Sequence, residues 1–398
     1  MTQPAAHLPL HIRRNQFDPV PELAKLRDEA SLSRITLPWT TAWLATRYQE
    51  VRQILGDATR FSNQGGGNRG PLQGSDSGDR PSRMRSGFLL GYDPPDHTRL
   101  RKLLTPEFTV ARMRRLRPRI EAIVAQHLDA MAERGAPVDL VSAFALPVPS
   151  LVICELLGVP YADRDEFQQL SRDRLDMSQD IEKRIAAGDA ARAYMAGLIR
   201  EQRRSPGDDM LGMLVREHGE DIEDQELTGV ADLLLLAGHE TTSNMLSLGT
   251  LLLLHEPEQL AIMRDPARVD AAVEELLRYL TVVHTVVPRM ALTDVEIGGE
   301  VVKAGEVVLL SLPAANRDPA LGDDLDHVDL TRAVTTHLAF GHGIHHCLGA
   351  PLARMEMRIA YPALFDRFPG LRIAVPFEEV EFRAFSVIFG LSSLPVAW

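Results

Sequence analysis

With only two cysteines in 398 residues, no disulfide framework can hold this chain together. Cys154 and Cys347 lie far apart, a usage that fits a reducing compartment such as the cytoplasm. Long unbroken apolar runs are also missing. The most apolar stretch, VADLLLLAGHETTSNMLSLGTLLLLH, is interrupted by six consecutive polar residues from His239 to Asn244, which a membrane span would not tolerate cheaply. Residues 1–30 hold no apolar run that would serve as a signal peptide or anchor. Positive charge is in deficit, with a net charge of −12, and this argues against general affinity for nucleic acid. There is no internal repeat and no long linker.

Most of the chain reads as helices separated by Gly/Pro breaks, so the expected class is mainly α with a small β portion. Strand signals fall at approximately residues 30–60 and 285–312, where β-branched residues flank a Gly298-Gly299 turn. Residues 62–91 contain eight glycines without helical periodicity, a lid-like loop of unusual length. The spacing predicts a long central helix from near Asp221 to His255, apolar on every face around Leu233–Leu236 and Leu251–Leu254. Glu240 lies in its middle, and burying that carboxylate requires a partner or a wet cavity. Against the overall acidity, residues 99–119 carry eight basic residues and one acid.

The densest chemistry is AFGHGIHHCLG, residues 339–349. His342, His345, His346 and Cys347 suggest zinc at first sight. However, three of the four are consecutive, neighbouring side chains rarely converge on one tetrahedral centre, and no second Cys/His knuckle exists, so no zinc is expected. A single thiolate fits better. The sequence after Cys347 has helical spacing with Pro351 early, which places the sulfur just before a helix N-terminus where negative charge is favoured. Gly341, Gly343 and Gly349 strip side chains from the surroundings, so that something broad and flat can approach. A lone thiolate under a large planar group is the ligation of haem iron in enzymes that cleave O–O bonds.

FGHGIHHCLG, residues 340–349, resembles the haem-binding loop of the cytochrome P450 superfamily, Phe-Gly-x-Gly-x-His-x-Cys-x-Gly, at every fixed position. AGHETT at 237–242, EELLR at 274–278, PR at 288–289, HTRLR at 97–101 and ANRDP at 315–319 extend the resemblance along nearly the whole chain. It implies the soluble actinomycete type: a roughly triangular single domain over residues 1–398, with haem b between the central helix and the cysteine-loop helix. By resemblance Cys347 is the axial iron ligand, and His97, Arg101, Arg289 and His345 meet the two haem propionates. Phe340 shields the sulfur, while Gly341 and Gly349 border the haem. Glu240 and Thr241 match the acid–alcohol pair that manages protons during oxygen activation. Thr241 could also bond back to the Ala237 carbonyl. Glu275 and Arg278, three apart on a helix, match a structural ion pair behind the cysteine loop. His239 falls at a variable position and receives no role.

The same resemblance implies an O2-dependent monooxygenase, hydroxylating or epoxidising a bulky secondary metabolite such as a macrolide, peptide, terpenoid or polyketide. The pocket is expected to involve Leu233, Ala237, Val283, Val286, Val287 and Ile388, under the 62–91 loop. The chain carries no flavin or iron–sulfur motif of its own, so electrons would come from a ferredoxin and its reductase. Arg99, Lys102, Arg112, Arg114 and Arg115 are the expected docking patch. The alternative is a non-catalytic haem sensor or electron carrier, against which the Glu240-Thr241 pair stands.

Overall fold

The central helix is Asp224–His255, and it organises everything around it. It begins at Asp224 rather than near Asp221, because Asp221 closes a turn onto the His218 carbonyl and Glu223 occupies the cap position. Asp224 and Glu226 in its first turn and His255 in its last suit the helix dipole, and Pro257 prevents continuation. The computed structural model describes residues 9–37, 40–64, 86–285, 287–333, 336–383 and 385–398. Most of the expected lid, residues 65–85, and Val286 lie outside these.

Helices Pro147–Leu157, Ile181–Arg204 and Ala350–Arg367 pack on the central helix. Close approach is bought with small residues: a Cβ on Gly238 would lie 2.9 Å from Ile153, and one on Gly249 would strike the Tyr361 hydroxyl. That hydroxyl donates to the Met245 carbonyl, so the side chain fixes both spacing and register. At the other end, a Cβ on Gly87 would run into the Glu226 carbonyl, and one on Gly229 into that of Ser86. The segment after the glycine-rich loop is thus pressed backbone to backbone onto the central helix.

The small β portion is a five-stranded sheet in the order Leu32–Leu37, Thr40–Ala45, Val307–Leu310, Val287–Ala291, Phe61–Ser62. Thr40–Ala45 runs parallel to Val307–Leu310, and the other pairings are antiparallel. The glycine turn makes a separate hairpin, Val295–Ile297 with Glu300–Val302, with φ of 56° at Gly298 and 88° at Gly299 as a type I′ turn requires. Within the expected β-rich stretch 30–60, residues Tyr48–Gly56 form a helix instead, with Tyr48, Val51, Ile54 and Leu55 as its buried stripe. A second sheet joins Val138–Asp139, Arg372–Ile373 and Pro395–Ala397.

Two histidines buried near the N-terminal segment make stability acid-sensitive. Burial pushes His284 down to about 3, helped by Arg14 and His11 against its backbone hydrogen bonds. Burial likewise lowers His11 to about 4. Unfolded, both rings would protonate near 6.5, so below that pH the unfolded chain binds more protons and the fold loses stability. The expected slope is about 1.4 kcal/mol per pH unit for each ring. Urea unfolding from about pH 7 to about pH 5 checks it: His284→Gln should flatten the slope by about one proton, and an unaltered slope would contradict the assignment.

Candidate active site

The cysteine loop is built by its glycines. Gly341 and Gly343 hold φ of 71° and 73°, a region other residues rarely enter. A Cβ on Gly343 would strike the Leu55 carbonyl, so the loop seats directly against the helix Tyr48–Gly56. The Cys347 N–H donates to the Phe340 carbonyl at 2.9 Å and closes the loop. The Phe340 ring lies under the Arg354 guanidinium, 4.5 Å from its centroid. Arg354 in turn grips Glu274 at 2.6 Å, and His337 reaches the same carboxylate at 3.1 Å. Although burial pushes Glu274 up, these two bonds hold it down at about 2. The loop is therefore anchored to the helix Val269–Leu280 through one ionised carboxylate.

The sulfur sits two residues before Gly349, the cap of the helix Ala350–Arg367. Its surface is open although protein surrounds it, which places it at the bottom of a cleft. Burial raises the thiol, while the Gly349 and Ala350 N–H groups, Arg101 and Arg354 pull it down. A metal cation at the sulfur would tip this balance to thiolate. Gly349 faces open space. Cys154 contrasts sharply: it is buried in the core, and its thiol is pushed up to about 12.

Beside the loop lies a cluster of basic groups. The His97 and His345 rings stand 4.2 Å apart; among the described residues neither buried nitrogen of His97 has a hydrogen-bond partner, while the Tyr92 backbone is the polar group beside His345. Arg289 is buried on the strand Val287–Ala291. Arg101 donates to the His346 carbonyl at 2.7 Å. Burial, then His97, Arg289 and Arg101, push His345 down to about 3. Asp93 is the carboxylate acting on this cluster, and it is held by Ser62 and the Asn63 N–H. Orphaned imidazole nitrogens next to two guanidiniums need anions to complete them, so the cluster fits a dianion such as the two haem propionates.

The central helix is buried from Glu226 to Leu253 except at Leu234, Ala237, Gly238 and Thr241. These form one stripe at helical spacing, the stripe of a buried helix bordering a cavity. The Thr241 hydroxyl donates to the Ala237 carbonyl at 2.9 Å. Leu233, by contrast, is buried in the core. Val283 and Ile388 pair in an isolated β-bridge, and Val287 is half-buried. Glu240 is buried and turned toward Arg383, 3.4 Å from Oε2, and toward the Asn244 amide at 3.5 Å. Arg383 also donates to the side-chain Oδ1 of Asn244 at 2.6 Å. Asn244, four residues after Glu240, shares its helix face, but Arg383 could not be foreseen: it lies 139 residues from Asn244 and no motif joins them.

The Glu275–Arg278 pair forms as expected, with two bonds of 2.7 Å. The basic patch is partly committed elsewhere. Arg99 pairs with Glu226, and Arg112 pairs through Nε with buried Glu107 at 3.0 Å, whereas Lys102, Arg114 and Arg115 are exposed. Among the described residues no three His, Cys, Asp or Glu side chains are placed to hold a metal ion, and no helix is long and apolar enough to cross a membrane.

The cytochrome P450 family model matches residues 22–265 and 268–372. The chain belongs to the cytochrome P450 family. It is 47% identical to cytochrome P450 FAS1 of Rhodococcoides fascians, over 99% of both chains. Cytochrome P450 165B3 of Amycolatopsis orientalis is 44% identical over 98% of both. Among solved structures, the P450 StaH from biosynthesis of the glycopeptide antibiotic A47934 superposes with a TM-score of 0.87 at 49% identity, covering 98% of this chain and all of that one. CYP105P1 in complex with filipin I gives 0.90 at 43%, covering 97% of each. This P450 is accordingly a haem-thiolate monooxygenase of the actinomycete type, and the basic cluster and open cysteine fit the haem that the family carries.

Proposed function

We propose that this P450 inserts one oxygen atom from O2, by hydroxylation or epoxidation, into a bulky secondary metabolite of peptide or polyketide character. It would do so in the cytoplasm, with electrons from a ferredoxin and its reductase. The observation that carries the reading is the pairing of an open Cys347 with a central helix that exposes Ala237 and Thr241 yet buries Glu240. Structural relatives from glycopeptide biosynthesis and a filipin complex support a large substrate. Two unpaired cysteines suit a reducing compartment.

Cys347 would hold the iron of haem b, and His97, Arg101, Arg289 and His345 its propionates. Bound there, haem supplies reductive activation of dioxygen and cleavage of the O–O bond. The protein's own work is proton control in a dry site. Thr241, already hydrogen-bonded to Ala237, can rotate to offer its hydroxyl to the cleft. Glu240, anchored by Arg383 and Asn244, carries protons from the far side of the helix. Glu240→Gln and Thr241→Val should each lower product formed per reducing equivalent by about 10²-fold while leaving the reduced carbon monoxide spectrum intact. Parental coupling in both variants would refute the assignment.

Lys102, Arg114 and Arg115 would receive an acidic ferredoxin. Replacing all three with alanine should slow reduction by ferredoxin roughly tenfold or more at low salt and remove most of its salt dependence. Substrate-induced spin shifts should not change. Equal reduction rates in the parent and the triple variant would exclude this patch.

A further inference from the structure

Directly before Glu240 and Thr241 on the central helix stands His239. His239 is completely buried. Its Nδ1 lies 2.6 Å from the Leu235 carbonyl oxygen, which can only accept, so Nδ1 carries the ring proton. In the neutral ring Nε2 is then a bare lone pair. It faces Glu240 Oε1 at 3.8 Å, and neither atom has a hydrogen-bond partner among the described residues. The other oxygen of Glu240 is served separately, by Arg383 and Asn244. Two acceptors facing each other in a dry interior are costly, at about 1–3 kcal/mol for each unsatisfied group. A single proton between them satisfies both. About an ångström of movement by the Glu240 side chain brings the pair to ordinary hydrogen-bond distance. The imidazole cannot turn away easily, because the Phe167 ring packs edge-on against it, with centroids 5.8 Å apart.

We propose that His239 and Glu240 hold one proton between them, and that His239 is thereby the positioning residue for the carboxyl group that serves Thr241. The proposal rests on the reading of Glu240 and Thr241 as the proton-handling pair. The balance is simple. Glu240 releases the shared proton toward Thr241, leaving a carboxylate opposite the lone pair of Nε2. The next proton, from solvent water, restores the couple, and His239 ends each cycle in its starting tautomer. No electron moves. The charged groups acting on the ring are Glu240 on its own helix and Arg172 on the helix Arg164–Leu175; Arg383, from the C-terminal segment, reaches it through Glu240. Burial opposes a second proton on His239, Glu240 favours one, and Arg172 opposes it.

The test is ring ¹⁵N NMR of histidine-labelled holoenzyme in its diamagnetic ferrous carbon monoxide form, with His239 assigned from its loss in His239→Gln. The expected result is an Nδ1–H tautomer whose Nε2 signal is displaced from the bare-acceptor value, as for a nitrogen accepting a hydrogen bond. In Glu240→Leu that signal should move to the value of a bare acceptor. An Nε2 signal unchanged by Glu240→Leu would overturn the proposal. In turnover, His239→Leu should lower product per reducing equivalent roughly tenfold and shift its pH profile. His239→Gln, whose amide oxygen can accept from Glu240, should recover most of the loss. If Gln and Leu are equally impaired, the role is merely structural and the proposal fails. The thiolate-type carbon monoxide band, recorded for every sample, shows that each variant is folded and haem-loaded. If the parent itself lacks that band, it is the underlying haem-thiolate reading that falls.

Discussion

Replacing Arg278 with alanine is expected to destabilise this P450 by about 3–5 kcal/mol, a large share of the roughly 5–15 kcal/mol that holds a folded domain together. The side chain is essentially inaccessible, yet all of its bonds are made. Two go to Glu275, and three more reach the carbonyls of Asn316, Leu325 and His327. Those carbonyls belong to the stretch leading into the cysteine loop, where Asn316 also receives the Leu338 N–H at 2.7 Å. Truncation therefore orphans three carbonyls and leaves Glu275, among the described residues, with Arg332 and the Asp329 N–H. Arg278→Lys keeps the charge but cannot fork to five acceptors, and an intermediate loss is expected. Urea unfolding monitored by circular dichroism measures the difference. A loss below about 1 kcal/mol would mean that the pair is not the brace described.

Cys347→Ser should fold nearly as well as the parent and lose its oxidative chemistry altogether. Serine preserves the N–H bond to Phe340 and the glycine conformations around it, so the loop keeps its shape. An alcohol has far too high a pKa to supply the negative ligand that a thiolate supplies. The strongly red-shifted band of the reduced carbon monoxide complex should vanish, and product formation should fall to background. Cys154 cannot substitute, being buried in the helix Pro147–Leu157 with its thiol pushed up to about 12. Cys154→Ser should accordingly retain the band. A thiolate-type spectrum surviving in Cys347→Ser would require a different iron ligand.

Sequence legibility followed the range of the interactions. The cysteine loop is contiguous, and its glycines report backbone conformations that the chain imposes locally, so nearly all of it could be read in advance. Glu275 and Arg278 meet within one helical turn. Asn244 likewise meets Glu240 at i,i+4, but Arg383 reaches both only because a C-terminal segment folds back across the central helix, and no local pattern encodes that return. Paired strands of two residues, such as Val138–Asp139, are too short to show alternation. The central helix starts three residues later than its composition suggests because Asp221, a good cap by composition, is captured by a turn. The basic stretch showed its charge but not its partners, since Glu226 reaches Arg99 only after folding.

The crossing of Gly87 and Gly229 has a practical consequence. Backbone touches backbone there, and two side chains fasten it: Arg192 donates to the Ser86 carbonyl at 3.1 Å and the Gly87 N–H donates to the Tyr92 hydroxyl at 2.8 Å. A substitution at Gly87 or Gly229 therefore has no side chain to push aside and must displace main chain instead. Ser86 and Gly87 are in this sense a fixed pin, the point at which the chain is committed to the helical body.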